Sequence, residues 1–138
     1  AADTAELASR VNADDFSIDA FQIGNGAKEL LDEVAAGKIT GEEEIWSHTD
    51  LWDFQANVDG AWVAFGVLRD AVAETDPDLV EELESRFTEL NGLLAQYGSI
   101  DEGFVLYTDL TDDQIVELAR AVDALGEPLS RLTAAAVL

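Results

Sequence analysis

Apolar residues recur along this chain at intervals of three and four, the spacing that places them on one face of an α-helix. The run from Leu79 to Leu94 shows this period most clearly. A second run extends from Phe54 to Val72, and a third from Ile115 to Leu125. Runs of β-branched residues are few, so the pattern predicts an all-α fold.

Helix start and stop signals divide the first half of the chain. A short helix is predicted for residues 2–11, followed by a polar break. Ser17 is the predicted cap of a second helix that runs to about Ala36 and stops at Gly37. The capping-box pattern Thr-Gly-Glu-Glu at residues 40–43 predicts the start of a third helix, which extends to about Glu74.

Similar signals divide the second half. Asp76 and Pro77 predict the start of a fourth helix, closed by Gly98, and a loop follows at residues 99–110. A capping box at residues 111–114 opens the last helix, which Pro128 is expected to kink or divide. Four substantial helices with short connections predict one domain over residues 1–138, an antiparallel four-helix bundle.

The chain is strongly acidic. Thirty Asp and Glu residues against seven Lys and Arg residues give a net charge of −23, which argues against nucleic acid as a partner. The charge attracts cations, although solubility or adaptation to salt is an alternative reason for it. Cysteine is absent, which excludes thiolate metal sites, and no apolar run is long enough to span a membrane. The chain begins with Ala1 rather than Met, which suggests a processed or excised part of a longer protein.

Carboxylates lie in phase with the apolar face of the predicted third helix. At about 100° per residue from Glu43, Asp50 falls on the core face and Asp53 at its margin. Buried carboxylates are costly unless they are paired, protonated or bound to a cation. Together with His48, the only histidine, these residues predict a site for a hard or borderline metal ion.

Other interpretations of these residues stay open. His48 lies about 140° from Glu43 around one straight helix, so either the helix breaks near Ser47 or His48 has another role. Glu43 is also compatible with a capping role, and so is Asp50 after a Ser47 cap. The di-iron motif Glu-x-x-His and the zinc motif His-Glu-x-x-His are both absent, which argues against an independent enzyme.

Several stretches of the chain resemble the imelysin-like domain of the EfeO and EfeM family. They are GAKELLDEVA at residues 26–35, GKITGEE at 37–43, SHTDLWDFQANVDGA at 47–61 and VDALGEPLSR at 122–131. The resemblance implies two four-helix bundles side by side, with a metal-binding cleft between them. This chain would be the second, C-terminal bundle, and the first, N-terminal bundle would be a missing partner.

The resemblance also implies a function. Proteins of this family are periplasmic or otherwise extracytoplasmic components of bacterial iron uptake, so the expected cargo is ferrous or ferric iron, or another divalent cation, delivered to a membrane permease. Glu43 would be the ligand that this bundle contributes, with Glu42 or Glu44 as alternatives, and Asp50, Asp53 and His48 would be secondary ligands. A metallopeptidase-type activity, binding of acidic polysaccharide and a purely structural half-domain are the alternatives.

Overall fold

Six α-helices make up most of the structure, a computed structural model that describes residues 2–41 and 43–137. In chain order they are α1 (Ala2–Val11), α2 (Ala20–Glu33), α3 (Asp50–Thr75), α4 (Pro77–Leu94), α5 (Asp112–Leu129) and α6 (Leu132–Val137). A π-helical turn (Val34–Lys38) continues α2. A small antiparallel hairpin, β1 (Gly98–Ser99) and β2 (Gly103–Phe104), and a 3₁₀ turn (Tyr107–Asp109) lie between α4 and α5. The all-α prediction is confirmed.

Helices α2 to α5 form an antiparallel four-helix bundle, as predicted. Helix α3 packs against α2, α4 against α3 and α5 against α4, and α2 also contacts α5, which closes the bundle. Two contacts show that α3 and α4 run antiparallel. Arg69, late in α3, pairs with Glu84 in the first half of α4 at 2.7 Å. Gln55, early in α3, donates a hydrogen bond to Asn91 near the end of α4 at 2.9 Å. Over residues 2–41 and 43–137, no helix has both the length and the apolar composition needed to cross a membrane.

The core lies between these helices. The residues predicted for the inner face of α3 are all buried, namely Phe54, Val58, Ala61, Phe65, Leu68 and Val72. Aromatic rings concentrate where α3 meets α4. Phe65 stacks on Phe87 with ring centroids 5.9 Å apart, and Trp62 packs against both rings. Aromatic rings in such tilted and offset arrangements add stability beyond that expected from the apolar area that they bury.

Two predicted helix starts are confirmed in atomic detail. The Asp76 carboxylate accepts a hydrogen bond from the backbone N–H of Leu79 at 3.0 Å, with Pro77 at the first helical position of α4. Thr111 and Gln114 form the reciprocal bonds of a capping box at the start of α5. These side chains satisfy N–H groups that have no partner within their own helix.

The other two predicted starts are wrong. Asp19, and not Ser17, caps α2, because its carboxylate accepts from the backbone of Gln22 while the Gln22 side chain accepts from Asp19. The third predicted helix begins at Asp50 rather than after Thr40.

Residues 40, 41 and 43 of the Thr-Gly-Glu-Glu pattern lie in turns instead of a helix. The Thr40 hydroxyl donates to the Gly37 carbonyl at 2.8 Å, and among the described residues no helix begins directly after Thr40 for it to cap. Residues 41 and 43–49 therefore lie outside any α-helix, although they were predicted to be helical. At the other ends, α4 stops at Leu94 and Gly98 begins the hairpin, while Pro128 lies in the last turn of α5 before α6.

Candidate metal site

All four predicted site residues lie in the α2–α3 connection, residues 34–49, or in the first turn of α3. The connection begins with the π-helical turn, in which the N–H of Ile39 donates to the carbonyl of Val34 at 3.0 Å. Turns of this kind are rare and occur frequently at functional sites. Gly41 (φ +66°) and His48 (φ +58°) then reverse the direction of the chain.

Lys38, the last residue of the π-helical turn, brings two of the predicted ligands together. Its side chain is buried, and its Nζ lies 2.5 Å from Oε1 of Glu43 and 3.7 Å from Oδ2 of Asp53. The Glu43 and Asp53 side chains are 50% and 44% exposed, so the pair opens to solvent. Gly37 leaves room for this arrangement, because a Cβ atom there would lie 2.7 Å from Oε2 of Glu43.

A third carboxylate, Glu33, acts on the same ammonium group. Asn57 of α3 donates to Oε2 of Glu33 at 3.4 Å and to a backbone carbonyl of α2 at 3.1 Å. Burial alone would lower the pKa of Lys38, but the hydrogen bond to Glu43 and the surrounding carboxylate charges outweigh burial and raise this pKa. We call Glu33, Glu43 and Asp53 the carboxylate cluster. Its three negative charges exceed the single positive charge that they surround.

Asp50, the first residue of α3, is completely buried. Its Oδ1 accepts from the backbone N–H of Glu44 at 3.2 Å, whereas its Oδ2 has no hydrogen-bond partner among the described residues. A buried carboxylate oxygen without a partner is costly unless a proton, a water molecule or a cation satisfies it. The chemistry of this oxygen therefore suits a cation.

Tyr107, from the 3₁₀ turn before α5, fastens the α2–α3 connection to the bundle. Its hydroxyl donates to the carbonyl of Ile39, 68 residues earlier, and its N–H donates to the carbonyl of His48 at 2.9 Å. Its ring lies over Gly41, where an added Cβ atom would come 2.5 Å from Cδ1. Burial, and to a smaller extent the charge of Asp50, raises the pKa of Tyr107 to about 12.

His48 lies in a turn and not on a helix. Its left-handed backbone conformation costs a non-glycine residue about 1–3 kcal/mol. Hydrogen bonds on both sides hold it there, since its N–H donates to the Glu44 carbonyl at 2.7 Å and its carbonyl accepts from Tyr107. Glu43 and His48 are therefore not held 140° apart, as they would be on one straight helix. Of the two alternatives, a new helix start after Ser47 is closer to the structure, since α3 begins at Asp50, with Thr49 rather than Ser47 at its N-cap position.

The predicted ligands thus fall into two groups. Glu43 and Asp53 meet at Lys38, whereas Asp50 and His48 lie on the side held by Tyr107. Among residues 2–41 and 43–137, no three His, Cys, Asp or Glu side chains are arranged to hold a metal ion.

Glu43 and Glu44 differ in what their carboxylates contact. The Glu44 carboxylate accepts a hydrogen bond from the Ser47 hydroxyl, which engages it within its own turn. Glu42 lies outside the described residues. Glu43 is the half-exposed carboxylate of the connection that already contacts a positive charge. The assignment of metal ligands stays a prediction.

Comparison with known proteins gives matches over nearly the whole chain. Residues 1–132 match the family model described as imelysin, whose label also names a peptidase family. The iron uptake system component EfeO of Escherichia coli strain K12 is 38% identical over 130 residues, which cover 94% of this chain and 34% of that protein.

A second relative is an Efem/EfeO family lipoprotein of Staphylococcus aureus strain USA300. It is 41% identical over 107 residues, which cover 78% of this chain and 38% of the lipoprotein. The chain therefore spans about a third of the length of the curated relatives that it matches.

Proposed function

This chain belongs to the imelysin family, and we propose that it is the metal-binding part of an extracytoplasmic iron-uptake protein that captures iron and delivers it to a membrane permease. The resemblance to the EfeO and EfeM family is confirmed by the two relatives. One of them is named as a component of an iron uptake system, which supports the proposed cargo. The ion is ferrous or ferric iron, or another divalent cation, and the location is the periplasm or another extracytoplasmic space.

One observation carries this proposal: the half-exposed carboxylates of Glu43 and Asp53 converge on one positive charge, the buried ammonium group of Lys38. Carboxylate oxygens are the ligands that hard cations prefer. Glu43 is the proposed principal ligand, with Asp53 beside it. Asp50 and His48 act as secondary ligands or orient the principal ones, and the unpartnered oxygen of Asp50 supports a role close to a cation.

A complete site needs more ligands than this chain brings together. We propose that residues 1–138 form the second bundle of a two-bundle domain and that the first, N-terminal bundle supplies the remaining ligands across a cleft. The short span of this chain relative to its relatives is compatible with such an arrangement. The net charge of −23 raises the local concentration of cations around the cleft.

Replacing Glu43 with alanine is expected to weaken iron binding at least about tenfold, equivalent to ~1.4 kcal/mol. The variant loses the carboxylate that lies nearest to the buried ammonium group of Lys38, at 2.5 Å. Titration calorimetry with anaerobic ferrous iron and with ferric citrate measures the two affinities.

Glu81→Ala is the matched control, because it removes the same charge from an exposed position on α4. This control is expected to bind iron as the unmodified chain does. Equal losses in both variants would reduce the role of Glu43 to a general charge effect. No saturable binding by the unmodified chain at millimolar iron would contradict the proposed metal-binding function of this bundle.

Peptide cleavage is the activity that the family label suggests, and we expect this chain not to perform it. A zinc peptidase of the His-Glu-x-x-His type needs two histidines on one helix, and the sequence contains only His48, which lies in a turn. Mass spectrometry of an unstructured peptide, incubated with the chain with and without EDTA, measures this activity. Cleavage that EDTA abolishes would contradict the expectation.

A further inference from the structure

Lys38 is an unusual residue for so acidic a chain. It is one of only two lysines, and it is 6% exposed. Lysine is almost never buried unless its charge is paired. The other lysine, Lys28, lies on the surface of α2, where it pairs with Asp32 four residues later. Lys38, by contrast, is buried and meets this condition through Glu43 and Asp53, the two predicted metal ligands.

The ammonium group of Lys38 contacts Oε1 of Glu43, one of the two oxygens with which this side chain would hold a metal ion. Its distance of 2.5 Å from Oε1 of Glu43 leaves no space between the two atoms. A cation bound to that oxygen would also be repelled by the positive charge of Lys38 beside it. The two cations therefore exclude each other at Oε1 of Glu43.

We propose that Lys38 is a tethered counter-ion, which neutralises the carboxylate cluster in the metal-free protein and must leave Glu43 before a metal ion binds there. This inference rests on the proposed function. The long, flexible stem of lysine allows such a withdrawal. Glu43 lies in a turn and is half exposed, so its carboxylate is also able to move away from Lys38.

The exchange has a consequence for delivery of the ion. When the metal leaves, the returning ammonium group neutralises carboxylates that would otherwise repel one another. Lys38 thereby weakens metal binding and favours release, which suits a protein that hands its cargo to another. A permanent metal site would gain nothing from a buried competitor.

Replacing Lys38 with methionine tests the inference directly. Methionine keeps the unbranched apolar stem but removes the ammonium group. Lys28→Met is the matched control, because it removes one positive charge at an exposed position of α2. We expect Lys38→Met to bind anaerobic ferrous iron about tenfold more tightly than both the control and the unmodified chain. An affinity equal to that of the control, or weaker, would overturn the inference.

Amine labelling of the unmodified chain provides a second measurement that needs no variant. An N-hydroxysuccinimide ester modifies exposed lysines, and mass spectrometry separates Lys38 from Lys28 because the sequence contains no other lysine. Saturating ferrous iron is expected to raise the labelling of Lys38 several-fold while that of Lys28 stays constant. Unchanged labelling of Lys38 at saturation would show that the ammonium group stays in place.

The two proposals fail in different ways. If the unmodified chain binds no iron, the proposed function fails. If it binds iron and Glu43→Ala weakens this binding, but Lys38→Met has no effect and labelling does not change, then only the role of Lys38 is wrong.

Discussion

Replacing Phe65 with alanine is expected to lower the free energy of unfolding by about 3–5 kcal/mol. Phe65 is fully buried on the inner face of α3, and it stacks on Phe87 of α4 with an interplanar angle of 20°. Trp62 packs against the same pair of rings, so the variant loses contacts with two aromatic neighbours and leaves a cavity. Urea denaturation followed by circular dichroism measures the change.

Val63→Ala is the control on the same helix. Val63 is 64% exposed, two residues before Phe65, and its truncation is expected to cost less than about 0.5 kcal/mol. A loss below about 1 kcal/mol for Phe65→Ala, or equal losses for both variants, would show that the aromatic cluster between α3 and α4 does not organise the core.

The parts of the fold that depend on nearby residues could be predicted from the sequence. The inner face of α3 follows from apolar spacing alone, because a helix places every third or fourth residue on one side. The starts of α4 and α5 follow from Asp76 and Thr111, whose side chains reach N–H groups only three residues away. Local hydrogen bonds of this kind need no tertiary context.

The start of α3 could not be predicted in the same way. The Thr-Gly-Glu-Glu pattern is typical of a helix start, but long-range contacts favour a turn. The hydroxyl of Tyr107 donates a hydrogen bond to the carbonyl of Ile39, and the Tyr107 ring fills the space over Gly41. The positive φ of Gly41 is incompatible with an α-helix. No periodic pattern in the sequence indicates a contact between residues as far apart as Ile39 and Tyr107. A tertiary contact therefore overrides a local preference.

The candidate site was predicted only in part for the same reason. Glu43 and Asp53 do come together, but through a buried lysine rather than through the face of one helix. Lys38 follows a predicted stop at Gly37, where a lysine favours a helix end, and nothing in that pattern indicates burial. The partners of Lys38 are identifiable only once the π-helical turn is placed against α3.

Raising the pH from 10 to 12 is expected to remove about 2 kcal/mol of stability through Tyr107 alone. The pKa of this phenol is raised to about 12 in the folded protein, from an ordinary value of about 10 in the unfolded chain. Between these two values the folded state keeps a proton that the unfolded state has released. Stability from this group is therefore fully present below pH 10 and falls as the pH rises towards 12.

Tyr107→Phe separates this effect from the general repulsion of an acidic chain at high pH. At pH 8 the variant is expected to be about 1 kcal/mol less stable, because it lacks the hydrogen bond from the hydroxyl to the Ile39 carbonyl. Since the variant cannot ionise at position 107, its stability falls less steeply above pH 10, and the two stability curves cross near pH 11. Urea denaturation at intervals from pH 8 to 12 measures both curves. Parallel curves would mean that Tyr107 is not buried against Asp50 and does not fasten the α2–α3 connection to the bundle.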